Sequence, residues 1–296
     1  MVYASATTSP EVSVSKSSNP WDAAAAGWNH HAALIHAWLR DATQTMLDEA
    51  HLGPGARVLD IAAGAGDQTL DIARCIGAQG WVLATDVSPG ILALALKNAE
   101  AAGFLQVSTQ VADAQSLGLA GANFDAAVCR LGLMFCRSPL AALSEIRAAL
   151  KPQGRFSALV FGRPEHNPCL TITLATARKH AGSVDGAATQ APRPLEPGSL
   201  MSLGKPGLLE ALLQTAGFVD VSVRYVPALF RTNSAEQYVD FLRSSASPLI
   251  EILAPLPDAA RQDAWADMTE QLKVFNAASG WMGPNELLQC VAAAPP

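Results

Sequence analysis

At 296 residues with half its composition hydrophobic, the chain can bury a full core as one large domain or as one domain with a sizeable insertion. A net charge of −6 with no basic cluster argues against a nucleic-acid partner, and no apolar run is long enough to span a bilayer. Five scattered cysteines, Cys75, Cys129, Cys136, Cys169 and Cys290, read as reduced core thiols of a cytoplasmic protein, with no disulfide framework and no metal site.

Residues 1–20 lack the apolar core of a signal peptide and read as a disordered tail. From Trp21 to His51, the apolar stripe of Trp28, Ile35, Trp38, Leu39, Met46 and Leu47 predicts a helical cap, stopped by Gly53-Pro54-Gly55. Short apolar runs then alternate with helical patterns through residues 52–162, the signature of a parallel sheet wrapped by helices. Strands are predicted at Arg57 to Ile61, Trp81 to Thr85, Val107 to Val111, Phe124 to Cys129 and Arg155 to Phe161. Helices are predicted near Gln68 to Ile76, Pro89 to Ala102 and Pro139 to Leu150, the last ended by Lys151-Pro152-Gln153-Gly154.

Residues 163–205 read as a loop or lid, with a Gly, Pro and Ala-rich segment from Ala181 to Gly198. Residues 206–296 hold a helix at Leu208 to Ala216 and a sixth strand at Val219 to Val226. A helical insertion at 234–275 follows, and a last strand at Glu286 to Val291 comes after the turn Gly283-Pro284-Asn285.

The most informative stretch is Asp60-Ile61-Ala62-Ala63-Gly64-Ala65-Gly66-Asp67, where an apolar strand breaks into a small-residue turn that opens a helix. Such a turn lets backbone pass close to a nucleotide-type cofactor. A dinucleotide fingerprint needs a third glycine near Thr69, which weakens a nicotinamide reading. Asp86, ending the second strand, can accept from both ribose hydroxyls of any adenosine. Asp60 would repel a pyrophosphate but could accept, directly or through water, from an ammonium group. Asp113 can accept from an adenine amine, with the backbone N–H of Ala114 available to a ring nitrogen. These acids suit a zwitterionic adenosine better than a diphosphate.

On these landmarks, together with Ala84-Thr85-Asp86-Val87-Ser88, Ala112-Asp113-Ala114, Phe124-Asp125 and Leu150-Lys151-Pro152-Gln153-Gly154, the chain resembles the class I S-adenosylmethionine-dependent methyltransferases. Within them it is most similar to the ubiquinone/menaquinone C-methyltransferase group and related small-molecule enzymes, which also favour alanine at the position of Ala62. The resemblance implies a Rossmann-like α/β fold of seven strands in the order 3-2-1-4-5-7-6, the last antiparallel, with helices on both faces. It implies S-adenosylmethionine as cofactor, Gly64 and Gly66 along the methionyl part, Asp86 at the ribose, Val87 on one adenine face and Leu131 near the other. Gln153 replaces a more usual glycine.

Trp28 is read either as a core aromatic or as a residue over the cofactor. A sulfonium methyl is already electrophilic, so positioning and water exclusion can supply much of the acceleration, and a base is needed only when the acceptor must lose a proton. Candidate bases are His30, His31, Glu165, His166 and His180, of which His166 is best placed. Arg130 either holds an anionic substrate or pairs with a carboxylate. Trp38, Tyr238, Phe241, Trp265, Phe275 and Trp281 in the covering segments favour an apolar or aromatic acceptor reached by in-line displacement, its acceptor atom left open. The expected partner is that small molecule, and a homodimer is compatible with the chain. The rival readings are a nicotinamide-dependent oxidoreductase and a non-catalytic S-adenosylmethionine-binding protein.

Overall fold

The computed structural model describes residues 20–182 and 195–296. In chain order the elements are α1 (Pro20–His30), α2 (Ala32–Glu49), β1 (Arg57–Ile61), α3 (Asp67–Ile76), β2 (Trp81–Asp86), α4 (Pro89–Ala101), β3 (Val107–Val111), β4 (Phe124–Arg130), α5 (Pro139–Ala149) and β5 (Leu150–Phe161). They continue with α6 (Pro168–Gly182), α7 (Leu208–Thr215), β6 (Val219–Pro227), β7 (Phe230–Thr232), α8 (Ala235–Ser245), α9 (Ser247–Leu253), α10 (Asp258–Leu272), β8 (Asn276–Ala277), β9 (Gly280–Gly283) and β10 (Glu286–Ala293).

Seven strands form one sheet in the order β3-β2-β1-β4-β5-β10-β6. β10, the predicted last strand, runs antiparallel between β5 and β6, so the expected fold and strand order hold. The central strands are apolar because both faces are covered: Val58, Leu59, Ile61, Ala126, Ala127 and Val128 are all buried. Parallel pairing aligns Asp60 with Ala84 on one side and Val128 on the other, which brings the strand ends that carry the turn residues to one edge. Ser-Pro pairs in which the serine caps the helix start α4 and α5. Proline takes the first helical position while Ser88 Oγ accepts from Ile91 N at 3.1 Å and Ser138 Oγ from Ala141 N at 3.4 Å.

Four details depart from expectation. The N-terminal cap is two helices, because the chain bends at His31. The predicted turn at Lys151 to Gly154 is absorbed into β5, which begins at Leu150; Gln153 takes φ +61, a conformation in which glycine would be unstrained. Within 163–205 the chain is not one loop, since Pro168–Gly182 is a 15-residue helix. The apolar stretch at Cys169 supplies its buried face. The helical insertion is also flanked by a small sheet, β7-β9-β8, whose strands of two to four residues are too short to show an alternating pattern. Of the expected tail over residues 1–20, all but Pro20, the first residue of α1, lies outside the described residues, as does most of the Ala181 to Gly198 segment.

Helices α6, α8, α9 and α10 pack together and with α1 form a roof over the cavity, while α2 lies against β5 and α3 and brings Ile35, Trp38 and Leu39 to the same cavity. No helix among the described residues is long and apolar enough to cross a membrane. All five cysteines are unpaired.

Candidate active site

β1 and β4 are each followed by a residue with left-handed backbone, Ala62 (φ +53) and Leu131 (φ +58). Such conformations cost energy outside glycine and collect at functional sites. They turn the chain sharply at the sheet edge, and the two turns touch: a Cβ on Gly132 would lie 2.3 Å from Ala62 Cβ. Gly66 (φ +91) is needed for a different contact, since its Cβ would sit 3.1 Å from the Cα of Ala95 on α4. Gly64 (φ +58) faces open space instead, with only Ile91 Cδ1 within 4 Å of where its Cβ would be.

A cavity of about 940 Å3 opens at this edge. Of the residues expected at the cofactor, Ala62, Gly64, Asp86, Val87, Asp113, Ala114, Leu131 and Trp28 line it, and so does Arg130. Asp60, Gly66 and His166 are not on its wall.

Asp86 is well placed for ligand hydroxyls. Its Oδ2 accepts from Gly64 N at 3.1 Å and its Oδ1 from Ser88 N at 3.0 Å, and the Val87 N–H also donates to the carboxylate, which has acceptor capacity left over. Burial raises its pKa above the usual carboxylate value, against the lowering effect of these N–H donors. Asp113 Oδ1 accepts from Gln115 N at 2.9 Å and so shapes the turn that presents Ala114.

Asp60 sits behind the glycine turn, fully buried. Gln68 Nε2 donates to its Oδ1 at 2.9 Å and Thr69 Oγ to its Oδ2 at 2.6 Å. The Thr69 that breaks the dinucleotide pattern therefore ties the first turn of α3 to β1. Burial pushes the Asp60 pKa up to about 6, offset in part by those two donors and by Arg130.

Arg130 takes the carboxylate-pairing alternative. Its Nη2 is 2.7 Å from Asp67 Oδ2 and its Nη1 donates to Thr43 Oγ at 2.9 Å, joining β4, α3 and α2. His36 Nδ1 meets the other oxygen of Asp67 at 3.1 Å.

The candidate bases are elsewhere. His166 is exposed and paired with Glu286 at 2.5 Å and Arg163 at 3.0 Å, His31 with Ser244 and His180 with Asp267. None of these, nor His30 or Glu165, lines the cavity.

Helix α1 closes one side. Asp22 Oδ1 accepts from Ser88 Oγ and Gly90 N at the start of α4, and Asn98 Nδ2 donates to Asn29 Oδ1 at 2.9 Å and to Ala65 O at 3.0 Å. The roofed end is aromatic. Trp38, Phe161, Phe230, Tyr238 and Phe241 line it with Leu170, Leu174 and Leu249, whereas Trp265, Phe275 and Trp281 do not reach it. Phe230 is the hub, with ring centroids 4.8 Å from Trp38, 4.9 Å from Tyr238 and 5.2 Å from Phe241. Each such pair adds about 0.5–1.5 kcal/mol beyond its burial. Phe161, Phe230 and Asn285 escaped sequence reasoning, because the first reads as strand core and the other two as connections.

Residues 58–154 match a family described as a methyltransferase domain. Over 217 residues the chain is 30% identical to a protein of Mycobacterium tuberculosis named only as uncharacterised, covering 71% of each. It is 36% identical over 115 residues to the ubiquinone/menaquinone biosynthesis C-methyltransferase of Teredinibacter turnerae, a match that covers 38% of this chain and 46% of that protein. Among solved structures, phosphoethanolamine N-methyltransferase 2 of Haemonchus contortus, in complex with phosphomonomethylethanolamine and S-adenosylhomocysteine, shares the fold. Its TM-score is 0.54 at 18% identity, over 90% of this chain and 58% of that one.

Proposed function

The chain belongs to the class I S-adenosylmethionine-dependent methyltransferases, and we propose that it methylates a small, apolar or aromatic molecule by in-line displacement at the aromatic end of the cavity. When bound, S-adenosylmethionine supplies a methyl group made electrophilic by its sulfonium.

The residues present suit that cofactor. Asp86, with acceptor capacity left on its carboxylate, would hold the ribose hydroxyls, and Asp113 with the Ala114 N–H the adenine. The open space at Gly64 would take the methionyl part, with Val87 and Leu131 lining the adenine side. Asp60 acts on the cofactor through the turn it braces, by way of Gln68 and Thr69.

One observation carries the acceptor reading: a single cavity joins these acids to a wall of Trp38, Phe161, Phe230, Tyr238 and Phe241. A planar apolar molecule would displace water from that wall on entry. The charged cavity residues, Asp67, Asp86, Asp113, Arg130 and Arg137, belong to the sheet-edge turns and α3 rather than the roof. The chain's contribution to the reaction is therefore to orient the acceptor and exclude water, with none of the described roof side chains acting as a base.

Calorimetry with S-adenosylhomocysteine and NAD side by side tests the cofactor, and a screen of aromatic acceptors for methyl transfer tests the substrate class. Binding of NAD alone would end the methyltransferase reading, and turnover confined to charged, non-aromatic acceptors would end the acceptor reading. The reaction is expected to proceed without metal and in free solution with no nucleic acid present.

A further inference from the structure

Asn285 stands immediately before β10, at the edge of the sheet where β5 ends with Phe161, and is 6% exposed. Its backbone carbonyl accepts from Ala228 N at 2.9 Å, and its Nδ2 reaches Gly283 O at 3.4 Å. Its Oδ1 is buried with no hydrogen-bond partner among the described residues, although the residue lines the roofed end of the cavity. Exchanging the amide's two ends would set Oδ1 against the Gly283 carbonyl, so the acceptor atom is the one left over. A buried polar atom without a partner is costly, and native proteins keep few of them.

The surroundings say what could satisfy it. Thr173 Oγ and Ser245 Oγ of the same cavity already donate to carbonyls of their own helices. Burial holds the Tyr238 hydroxyl well above its usual pKa, so it stays neutral. The positive charge of Arg130 is met by Asp67. Among the described residues that line the cavity, orphaned buried atoms are also found on Asp67, whose oxygen faces that arginine, and on Trp28, a donor on α1 whose ring lies 6.4 Å from that of Phe241. An ionised acceptor at the roofed end would lose its hydration without gaining a counter-charge.

We propose that Asn285 determines acceptor specificity: its carboxamide oxygen accepts a hydrogen bond from an N–H or O–H group on a neutral aromatic acceptor lying along the Trp38, Phe161 and Phe230 wall. This rests on the methyltransferase reading above. A molecule of the same shape without that donor leaves the oxygen unpaired and binds more weakly.

The test titrates protein loaded with S-adenosylhomocysteine, by calorimetry, with 2-naphthol and with 2-methoxynaphthalene, the same ring system with and without a donor. Wild-type protein is expected to hold the naphthol about tenfold more tightly. Asn285→Leu is expected to erase that preference and Asn285→Asp, which keeps an acceptor oxygen, to retain it, both with unchanged S-adenosylhomocysteine affinity. A preference that survives in Asn285→Leu overturns the proposal. So does the absence of preference in the wild type, a result that stands even if Asn285→Leu does not fold. Wild-type protein that fails to bind S-adenosylhomocysteine at all overturns the methyltransferase reading and the proposal with it, whereas loaded protein that ignores both naphthalenes overturns the proposal alone.

Discussion

Arg130 Nη2 stands 2.7 Å from Asp67 Oδ2, an ion pair that bolts the end of β4 to the first turn of α3 on opposite sides of the glycine turn. The Arg130 side chain is only 5% exposed. Removing the partner of a buried charge costs more than the pair contributes, because the remaining ion is neither hydrated nor neutralised. Asp67→Ala is expected to lower stability by about 3 kcal/mol in urea unfolding, and Arg130→Met with Asp67→Leu together to recover most of that loss. A double variant no more stable than Asp67→Ala would show that the pair is not what holds the two turns together.

The Asp60 pKa, raised from 3.8 to about 6 by burial, means that the native state binds this proton more tightly than the unfolded chain. Stability linked to Asp60 is therefore fully present below about pH 3.8 and declines as pH rises to about 6, by about 3 kcal/mol in total. Asp60→Asn should flatten that part of the profile in unfolding titrations between pH 4 and 7. An unchanged slope in the variant would mean that another group carries it.

Gly132 has no room for a methyl group, since its Cβ would meet Ala62 Cβ at 2.3 Å and Ala62 is itself held in left-handed backbone. Gly132→Ala is expected to cost about 2 kcal/mol and to weaken S-adenosylhomocysteine binding, because the two turns must separate. Thermal unfolding with and without the ligand reads both effects.

Asp86→Ala should reduce S-adenosylhomocysteine affinity about a hundredfold by removing the charge-assisted bonds we propose it makes to the ribose hydroxyls. Because burial raises the Asp86 pKa, wild-type affinity should also fall on acidification, and more steeply than that of the variant. Calorimetry at pH 7.5 and pH 5 separates the two.

His166 pairs with Glu286 and Arg163 outside the cavity. His166→Gln is expected to leave kcat within about twofold, the ordinary consequence of a surface substitution away from the site. A loss of kcat with KM unchanged would return it to the catalytic machinery.

How far the site was legible follows the range of the interactions. The apolar runs of β1 to β5, the turn from Asp60 to Asp67 and the acids Asp86 and Asp113 are local signals, since strand ends, tight turns and small residues depend on neighbours in sequence. The strand order, by contrast, followed only from the family resemblance those landmarks carry, since apolar runs do not say which strands lie side by side. The short strands β7, β8 and β9 carried no such signal.

By itself, then, the sequence determined the fold class and the glycine turn with its flanking acids. Only the tertiary structure decided what those groups face. It set Asp60 behind the turn, gave Arg130 to Asp67, left His166 outside the cavity, and brought Trp38, Phe161, Phe230, Tyr238 and Asn285 to one wall. These residues lie as much as 247 positions apart, from Trp38 to Asn285. No periodicity in a chain encodes such meetings. They arise when β10 inserts antiparallel beside β5 and the roof helices close over the strand ends, so that packing and desolvation select each side chain's partner.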